Sequence, residues 1–301
     1  MHPQKNTDFR LLHNPRMYTT LITAEELQQL MSSGTPLRVF DCTYELMNPD
    51  AGQAQFETEH IPGSVHVHLD RHLSDKTAPD RASGGRHPLP SRATFAARLG
   101  ALGLGNGMQA VVLDRQAITT SGRLWWMLKW CGHEAVAVLD GGLAAWKAAG
   151  GAVQSGPSPA VAPATFELRD EQASLVGTQD IAGALGRPTL SLIDARAGAR
   201  FRGETEPLDP VAGHIPGALN RFFAENVQAD GRFKPAAQLR AEFERLLAGR
   251  DPATVVHHCG SGVSAVPNLL AMEIAGLGRT RLYPGSWSEW CNTAGTPIAQ
   301  G

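Results

Sequence analysis

Cysteine is scarce in this chain, with 4 among 301 residues, and no two of them form a C-x-x-C pair. Cys42, Cys131, Cys259 and Cys291 therefore offer neither the ligand spacing of a zinc cage nor a thioredoxin-type redox motif, and they read as free thiols. A surplus of one charge is also missing: 27 Lys and Arg against 29 Asp and Glu leave a formal net charge of −2. Without a long basic run there is little to hold nucleic-acid phosphates. Apolar runs stop well short of the ~20 residues that cross a bilayer, so neither nucleic acid nor membrane is an expected partner. The opening Met1-His2-Pro3-Gln4-Lys5 lacks an apolar stretch of the secretory kind, which makes a reducing cytoplasm the expected compartment. Residues before Met17 show no fold pattern.

What the chain does contain is a duplication. In the first half Leu37-Arg38-Val39-Phe40-Asp41 reads as a strand, Glu59-His60-Ile61-Pro62-Gly63 follows, and Val111-Val112-Leu113-Asp114 makes another strand. The second half repeats the order as Ser191-Leu192-Ile193-Asp194, Gly213-His214-Ile215-Pro216-Gly217 and Val255-Val256-His257-His258-Cys259. Further on, Gly141 and Trp146 recur as Gly285 and Trp290, both offset by 144 positions. Shared order and spacing mark an internal repeat.

Helical patterns lie between the strands. Thr23-Ala24-Glu25-Glu26 is a capping box leading into Leu27, Leu30 and Met31, Ser91 can cap Thr94 to Leu99, and Pro235 starts a helix with Phe243, Leu246 and Leu247 on its apolar face. Alternating strand and helix predicts an α/β fold, with a central parallel sheet flanked by helices in each half. The Pro-rich, aperiodic stretch Ser155 to Pro163 reads as a semi-rigid linker. The expected division is 17–153 for one domain, 154–166 for the linker and 167–301 for the other.

Only the second copy carries a cysteine where its central loop begins, in Cys259-Gly260-Ser261-Gly262-Val263-Ser264-Ala265. A thiol at a strand end and at the mouth of a helix N-terminus meets backbone N–H groups that favour its anion, which makes Cys259 the expected nucleophile. A cysteine packed as a small hydrophobe has no need of Gly-Ser-Gly after it, whereas an anion nest does. Asp114 holds the matching place in the first copy and reads better as a cap of the following helix. Cys42, Cys131 and Cys291 lack such loops and read as structural. Trp125, Trp126 and Trp130 follow a helical pattern and read as core and domain-interface residues. His257-His258-Cys259 does not read as a metal site, because strand alternation sends His258 to the opposite face from its neighbours. No metal or cofactor is expected.

Over nearly its whole length from about Leu21, the chain resembles the tandem rhodanese-like sulfurtransferases. The paired His-Ile-Pro-Gly elements, the Leu139-Asp140-Gly141-Gly142 and Pro284-Gly285-Ser286-Trp287 turns, and an active loop in the second domain only carry the resemblance. Within that family the loop resembles that of the 3-mercaptopyruvate enzymes, since the thiosulfate enzymes typically have Arg and Lys where this chain has Gly260 and Ser261. A neutral loop attracts a dianion such as thiosulfate less than a cationic one would. The resemblance implies that Asp70 and His87 join Ser261 in a Ser-His-Asp relay, and that Arg200 holds the donor's carboxylate through its planar fork. Arg202 reads as a surface residue. A second substrate arginine usual in the mercaptopyruvate enzymes is replaced by Leu208, and Tyr44 and Thr119 stand where the family often has Trp and Tyr.

The implied chemistry is attack of the Cys259 thiolate on the sulfur of 3-mercaptopyruvate, release of pyruvate, and a persulfide cradled by Gly260, Gly262, Val263, Ser264 and Ala265. The acceptor implied is a thiol, such as thioredoxin or another dithiol, or cyanide in the test tube. Thiosulfate is the alternative donor. A non-catalytic binding module is the alternative of another class, and retention of Cys259 weighs against it. A cysteine phosphatase would need an arginine near the loop's end, where Ala265, Val266 and Pro267 supply none.

Overall fold

The computed structural model of the chain describes residues 17–301, so the expectation about the residues before Met17 lies outside the described part. Two parallel sheets follow one another along the chain. The first is built of β1 (Leu21–Ile22), β2 (Leu37–Asp41), β3 (Val65–His66), β4 (Gln109–Leu113) and β5 (Val136–Leu139), in the order β1-β5-β4-β2-β3. The second is built of β6 (Ser191–Asp194), β7 (Leu219–Asn220), β8 (Val255–His258) and β9 (Arg281–Leu282), in the order β7-β6-β8-β9. Leu175 makes a parallel bridge to Leu282, on the side of β9 where the first sheet has β1 beside β5. The two orders then coincide strand for strand.

Alternation along each strand explains why helices cover both faces. In β4, Val111 and Leu113 pack with Leu27, Leu30, Leu143 and Trp146 on one side. Ala110 and Val112 point the other way, toward Phe95, Leu99, Leu124 and Trp126. Strands buried on both faces read as continuous apolar runs, as Ala110 to Leu113 of β4 do, whereas in β8 the apolar Val255 and Val256 run into the buried His257 and His258. The opposite faces of the two sheets meet in one continuous core, because the helices Thr119–Trp130 and Val266–Ile274 pack against each other across the domain boundary.

The repeat extends to side-chain detail. His60 stacks on Phe56 with ring centroids 3.9 Å apart and its Nδ1 lies 2.8 Å from the Phe56 carbonyl. His214 stacks on Phe201 at 3.8 Å and lies 2.8 Å from the Phe201 carbonyl. Trp146 donates to the Ala152 carbonyl and Trp290 to the Pro297 carbonyl, each at 2.8 Å.

Thr23 and Glu26 form the expected capping box on the helix Ala24–Ser32, and Ser91 caps Arg92–Ala101. Met31 departs from expectation: it is 37% exposed, because the helix buries Ala24, Leu27 and Leu30 and Met31 lies outside that stripe. Leu246 is only partly buried, beside the buried Leu239, Phe243 and Leu247. Among the described residues, no group of three His, Cys, Asp or Glu side chains is placed to hold a metal ion, and no helix is long and apolar enough to cross a membrane.

Candidate active site

The register of the second sheet fixes where the cysteine stands. Asp194 of β6 pairs with His258 of β8, and Cys259 is the next residue, beyond the carboxyl ends of the strands where ligands gather in open α/β sheets. Its own N–H donates to Ser286 Oγ at 3.1 Å, and Ser286 in turn donates to the Tyr283 carbonyl at 2.9 Å. Ser286 is held at φ 55°, a left-handed conformation that the first copy gives to Gly142 at φ 56°. A serine accepting that strain places a hydroxyl under the cysteine.

The loop after Cys259 sends its carbonyls outward. Cys259 O accepts from Trp287 N at 3.0 Å, Gly260 O from Ser288 N at 2.8 Å, and Gly262 O from Arg123 Nη1 at 2.9 Å. Among the described residues, none of the backbone N–H groups of Gly260, Ser261, Gly262, Val263, Ser264 and Ala265 has an acceptor in the protein. Five of these six residues are buried, so a run of donors is left over where donors are normally matched. Gly262 is required by shape: its φ is 72°, and a methyl group there would run into the Pro284 carbonyl. The thiol side chain itself is nearly enclosed, with Cys259 1% exposed, which is more closed off than a place at a loop mouth suggests.

Two of the residues named for the relay meet closely and the third more loosely. Ser261 Oγ lies 2.9 Å from His87 Nδ1, and His87 Nε2 lies 3.7 Å from Asp70 Oδ1, beyond a direct hydrogen bond. Burial pushes the His87 pKa down to about 3, against the pull of Asp70, so the ring is neutral near pH 7. Asp70 is occupied by Lys76 Nζ at 2.8 Å and by the Tyr44 hydroxyl at 2.9 Å. Burial resists charge on Asp70, but those two partners outweigh it and hold the carboxyl below its usual range.

Arg200 is near, as expected, and is already paired. Its Nη2 lies 2.6 Å from Glu206 Oε1 and 3.5 Å from Asp209 Oδ2. From the other domain, Arg86 Nη1 reaches Asp209 Oδ1, next to Leu208, at 2.7 Å. A methyl group placed on Gly260 would lie 3.1 Å from Arg86 Nη2 and 3.6 Å from Arg200 Nη1. Both guanidinium groups therefore crowd the residue next to the thiol. Arg202 is an exposed residue paired with Glu204 at 2.6 Å.

Sequence reasoning missed Arg86, Arg123 and Ser286. Arg86 adjoins His87, which was the available signal. Arg123 is fully buried in the Trp-rich helix, and its Nη2 donates to the His87 carbonyl at 3.0 Å while Nη1 holds Gly262, so one side chain ties the histidine to the loop. Burial lowers its pKa to about 10, and charge on Cys259 acts in the opposite direction. A lone arginine among tryptophans was the signal. For Ser286, the clue was a serine where the first copy has glycine.

The remaining residues fall as expected. Burial raises the pKa of Cys42, Cys131 and Cys291, and all four thiols are unbridged. Trp125, Trp126 and Trp130 are buried, with Trp126 and Trp130 stacked at 5.7 Å. Thr119 opens the helix that carries Arg123.

Two repeats of one parallel α/β unit, with a cysteine at the strand tip of the second alone, define a class of two-domain thiol enzyme. A family model for the rhodanese-like domain matches residues 23–149 and again residues 178–293. A Pseudomonas aeruginosa protein named "Probable 3-mercaptopyruvate sulfurtransferase" is 45% identical over 283 residues, covering 93% of this chain and 98% of that one. A Mycobacterium tuberculosis protein named "Putative thiosulfate sulfurtransferase SseB" is 40% identical over 287 residues, with 93% of this chain and 97% of that one covered. Among solved structures, the 3-mercaptopyruvate sulfurtransferase from Leishmania major matches with a TM-score of 0.80 at 30% identity, covering 94% of this chain and 77% of that one. The chain belongs to the rhodanese-like domain family, as a tandem-domain sulfurtransferase.

Proposed function

We propose that the enzyme moves sulfur from 3-mercaptopyruvate through a Cys259 persulfide to a thiol acceptor, releasing pyruvate. The observation that carries the donor assignment is the 2.9 Å contact between Ser261 and neutral His87 beside the thiol. When the Cys259 thiolate bonds to the donor sulfur, the carbon–sulfur bond breaks and its electron pair leaves on carbon, as the enolate of pyruvate. That carbon needs a proton. The proton carried by the donor thiol passes to it by way of Ser261 and His87, so the products are pyruvate and a persulfide anion and the charge is conserved. Sulfite, the leaving group from thiosulfate, is a stable anion that needs no such relay.

Arg200 and Arg86 form the clamp for the donor carboxylate, one from each domain, and the donor reaches Cys259 past Gly260. The unmatched N–H groups from Gly260 to Ala265 suit the persulfide anion, whose charge they would neutralise as dipoles. Asp70 orients His87 at longer range. The acceptor is a dithiol such as thioredoxin, and a reducing cytoplasm suits both that acceptor and four free cysteines. The stretch 154–166 serves as the joint between an N-terminal domain that supports the site and a C-terminal domain that carries the nucleophile.

Steady-state kinetics with 3-mercaptopyruvate and thiosulfate, on wild type and on Leu208→Arg, test the donor. The expected result is a higher kcat/KM for 3-mercaptopyruvate, further raised by the added arginine, and a thiosulfate preference refutes the assignment. Thiosulfate remains the second reading, because two guanidinium groups flanking Gly260 would also attract a dianion.

A further inference from the structure

Two arginines beside a nucleophilic thiol make a site for a doubly charged donor unless something offsets them. The offset is a ladder of alternating charges running from the buried end of β6 to the domain boundary. Asp194 Oδ2 binds Arg196 Nη2 at 2.6 Å, and Arg196 Nη1 lies 3.3 Å from Glu206 Oε2. Glu206 binds Arg200, and Asp209 closes the ladder between Arg200 at 3.5 Å and Arg86 at 2.7 Å. Arg196 is thus committed to Asp194 and Glu206, and Arg200 to Glu206. Among the described residues, Asp209 is the one acid within ion-pair distance of both arginines at Gly260.

Its environment is unusual for a simple ion pair. The Asp209 side chain is 3% exposed, and its Oδ2 is buried without a hydrogen-bond donor, while Arg86 Nε is buried without an acceptor. Burial raises the Asp209 pKa and Glu206 adds to the rise, while Arg86 and Arg200 oppose it; the carboxylate stands next to the place a donor anion must enter, in surroundings that screen it poorly.

We infer that Asp209 is a specificity-determining residue that sets the charge of the sulfur donor: it cancels enough of the Arg86 and Arg200 charge to admit a monoanion such as 3-mercaptopyruvate and to turn away a dianion such as thiosulfate. The inference deepens the proposed function and rests on its placement of the donor between those arginines. Glu206 fixes Arg200 in orientation, and Asp209 supplies the repulsion that a second negative charge on the donor meets.

The test is Asp209→Asn, which keeps the shape and removes the charge. The ratio of kcat/KM for thiosulfate to that for 3-mercaptopyruvate is expected to rise about 10-fold or more, as one unit charge a few ångströms away requires. A ratio that stays the same or falls overturns the inference. Calorimetric binding of thiosulfate and of pyruvate to Cys259→Ser, with and without Asp209→Asn, gives a readout independent of turnover. Tighter thiosulfate binding in the double variant, with pyruvate binding changed less, is expected, and equal or weaker thiosulfate binding overturns it. Should Asp209→Asn not fold, Cys259→Ser alone decides, since it must bind pyruvate more tightly than thiosulfate and the reverse order refutes the charge gate. If wild type turns over neither donor, the proposed function fails while the binding comparison still judges Asp209.

Discussion

The loop after β4 and the loop after β8 occupy equivalent places in the two halves, and they treat their backbone N–H groups in opposite ways. In the first, the Asp114 carboxylate turns back into its own loop: Oδ1 accepts from Gln116 N and Ile118 N at 2.9 Å, and Oδ2 from Ser121 N and Ser121 Oγ at 2.8 Å. In the second, the residue at that place is Cys259, and the N–H groups that follow it find no acceptor in the protein. One cradle is filled by an anion that belongs to the chain, and the other is kept for an anion that comes and goes. Burial raises the Asp114 pKa, and the hydrogen bonds from Ser121, Gln116 and Ile118 oppose that rise. The first loop has also given up glycine at its left-handed positions, with Ala117 at φ 54° and Ile118 at φ 67°, where the second uses Gly262 at φ 72°. A permanently occupied cradle can be locked by bulky residues. A cradle that exchanges ligands needs small ones.

The largest effect that would break this comparison is expected from Cys259→Ser. Turnover with either donor should disappear, and mass spectrometry after incubation with donor should find no added sulfur atom. Retention of a sulfur-bearing species in that variant would mean the second cradle is not the reactive one. In the wild type, failure to gain sulfur at Cys259 would favour the binding-module reading.

Acid comes next, and it should part the halves. Burial lowers the pKa of His87 to about 3 and of His72 and His133 to about 4 in the first half, and of His257 to about 3 in the second. The unfolded histidines take up protons near the ordinary imidazole pKa of about 6.5, well above those folded values. Below that pH the unfolded state binds protons that the folded state refuses, so stability is present above about pH 6.5 and falls by about 1.4 kcal/mol per pH unit for each such histidine until its folded pKa is reached. Hydrogen exchange between pH 7 and 5 should show the first half opening before the second.

Ser261→Ala should lower kcat for 3-mercaptopyruvate about 100-fold through loss of proton delivery, and lower it far less for thiosulfate. Equal losses with both donors would remove the argument that Ser261 and His87 serve a carbon leaving group.

Asp114→Ala leaves the first loop's N–H groups unmatched and should cost about 1–3 kcal/mol in urea unfolding, with sulfur loading of Cys259 retained. A variant as stable as wild type would show that the carboxylate is not what fills the first cradle. The smallest effect is expected from Cys259→Asp, which copies the first loop into the second. It should be inactive yet more stable than Cys259→Ala by about 1 kcal/mol, because a carboxylate gains the donors that alanine leaves idle. Equal stability would mean that the two loops are not alike in shape.

Much of this was legible in the chain. Parallel strands, the capping box at Thr23, the N-cap at Ser91 and the doubled His-Ile-Pro-Gly turns rest on local patterns, and a local pattern is written in consecutive residues. The special standing of Cys259 could be read from the glycines after it, and Asp114 as a cap from its place before a helix. Met31 was misplaced because helical periodicity gives a stripe, and packing decides how wide that stripe becomes. Arg86, Arg123 and Ser286 were overlooked for a different reason. Each acts on a partner remote in sequence: Arg86 on Asp209, Arg123 on Gly262, Ser286 on Cys259.

The sequence by itself determined a twice-repeated α/β unit and the single strand tip able to present a thiol to backbone dipoles, because both follow from hydrophobic period and the steric freedom of glycine. Only the tertiary structure decided which charges surround that thiol. Packing the helices Thr119–Trp130 and Val266–Ile274 against each other brings His87 onto Ser261 and Arg86 onto Asp209. Electrostatic effects depend on distance through space and on burial, and neither is a property of neighbours along a chain.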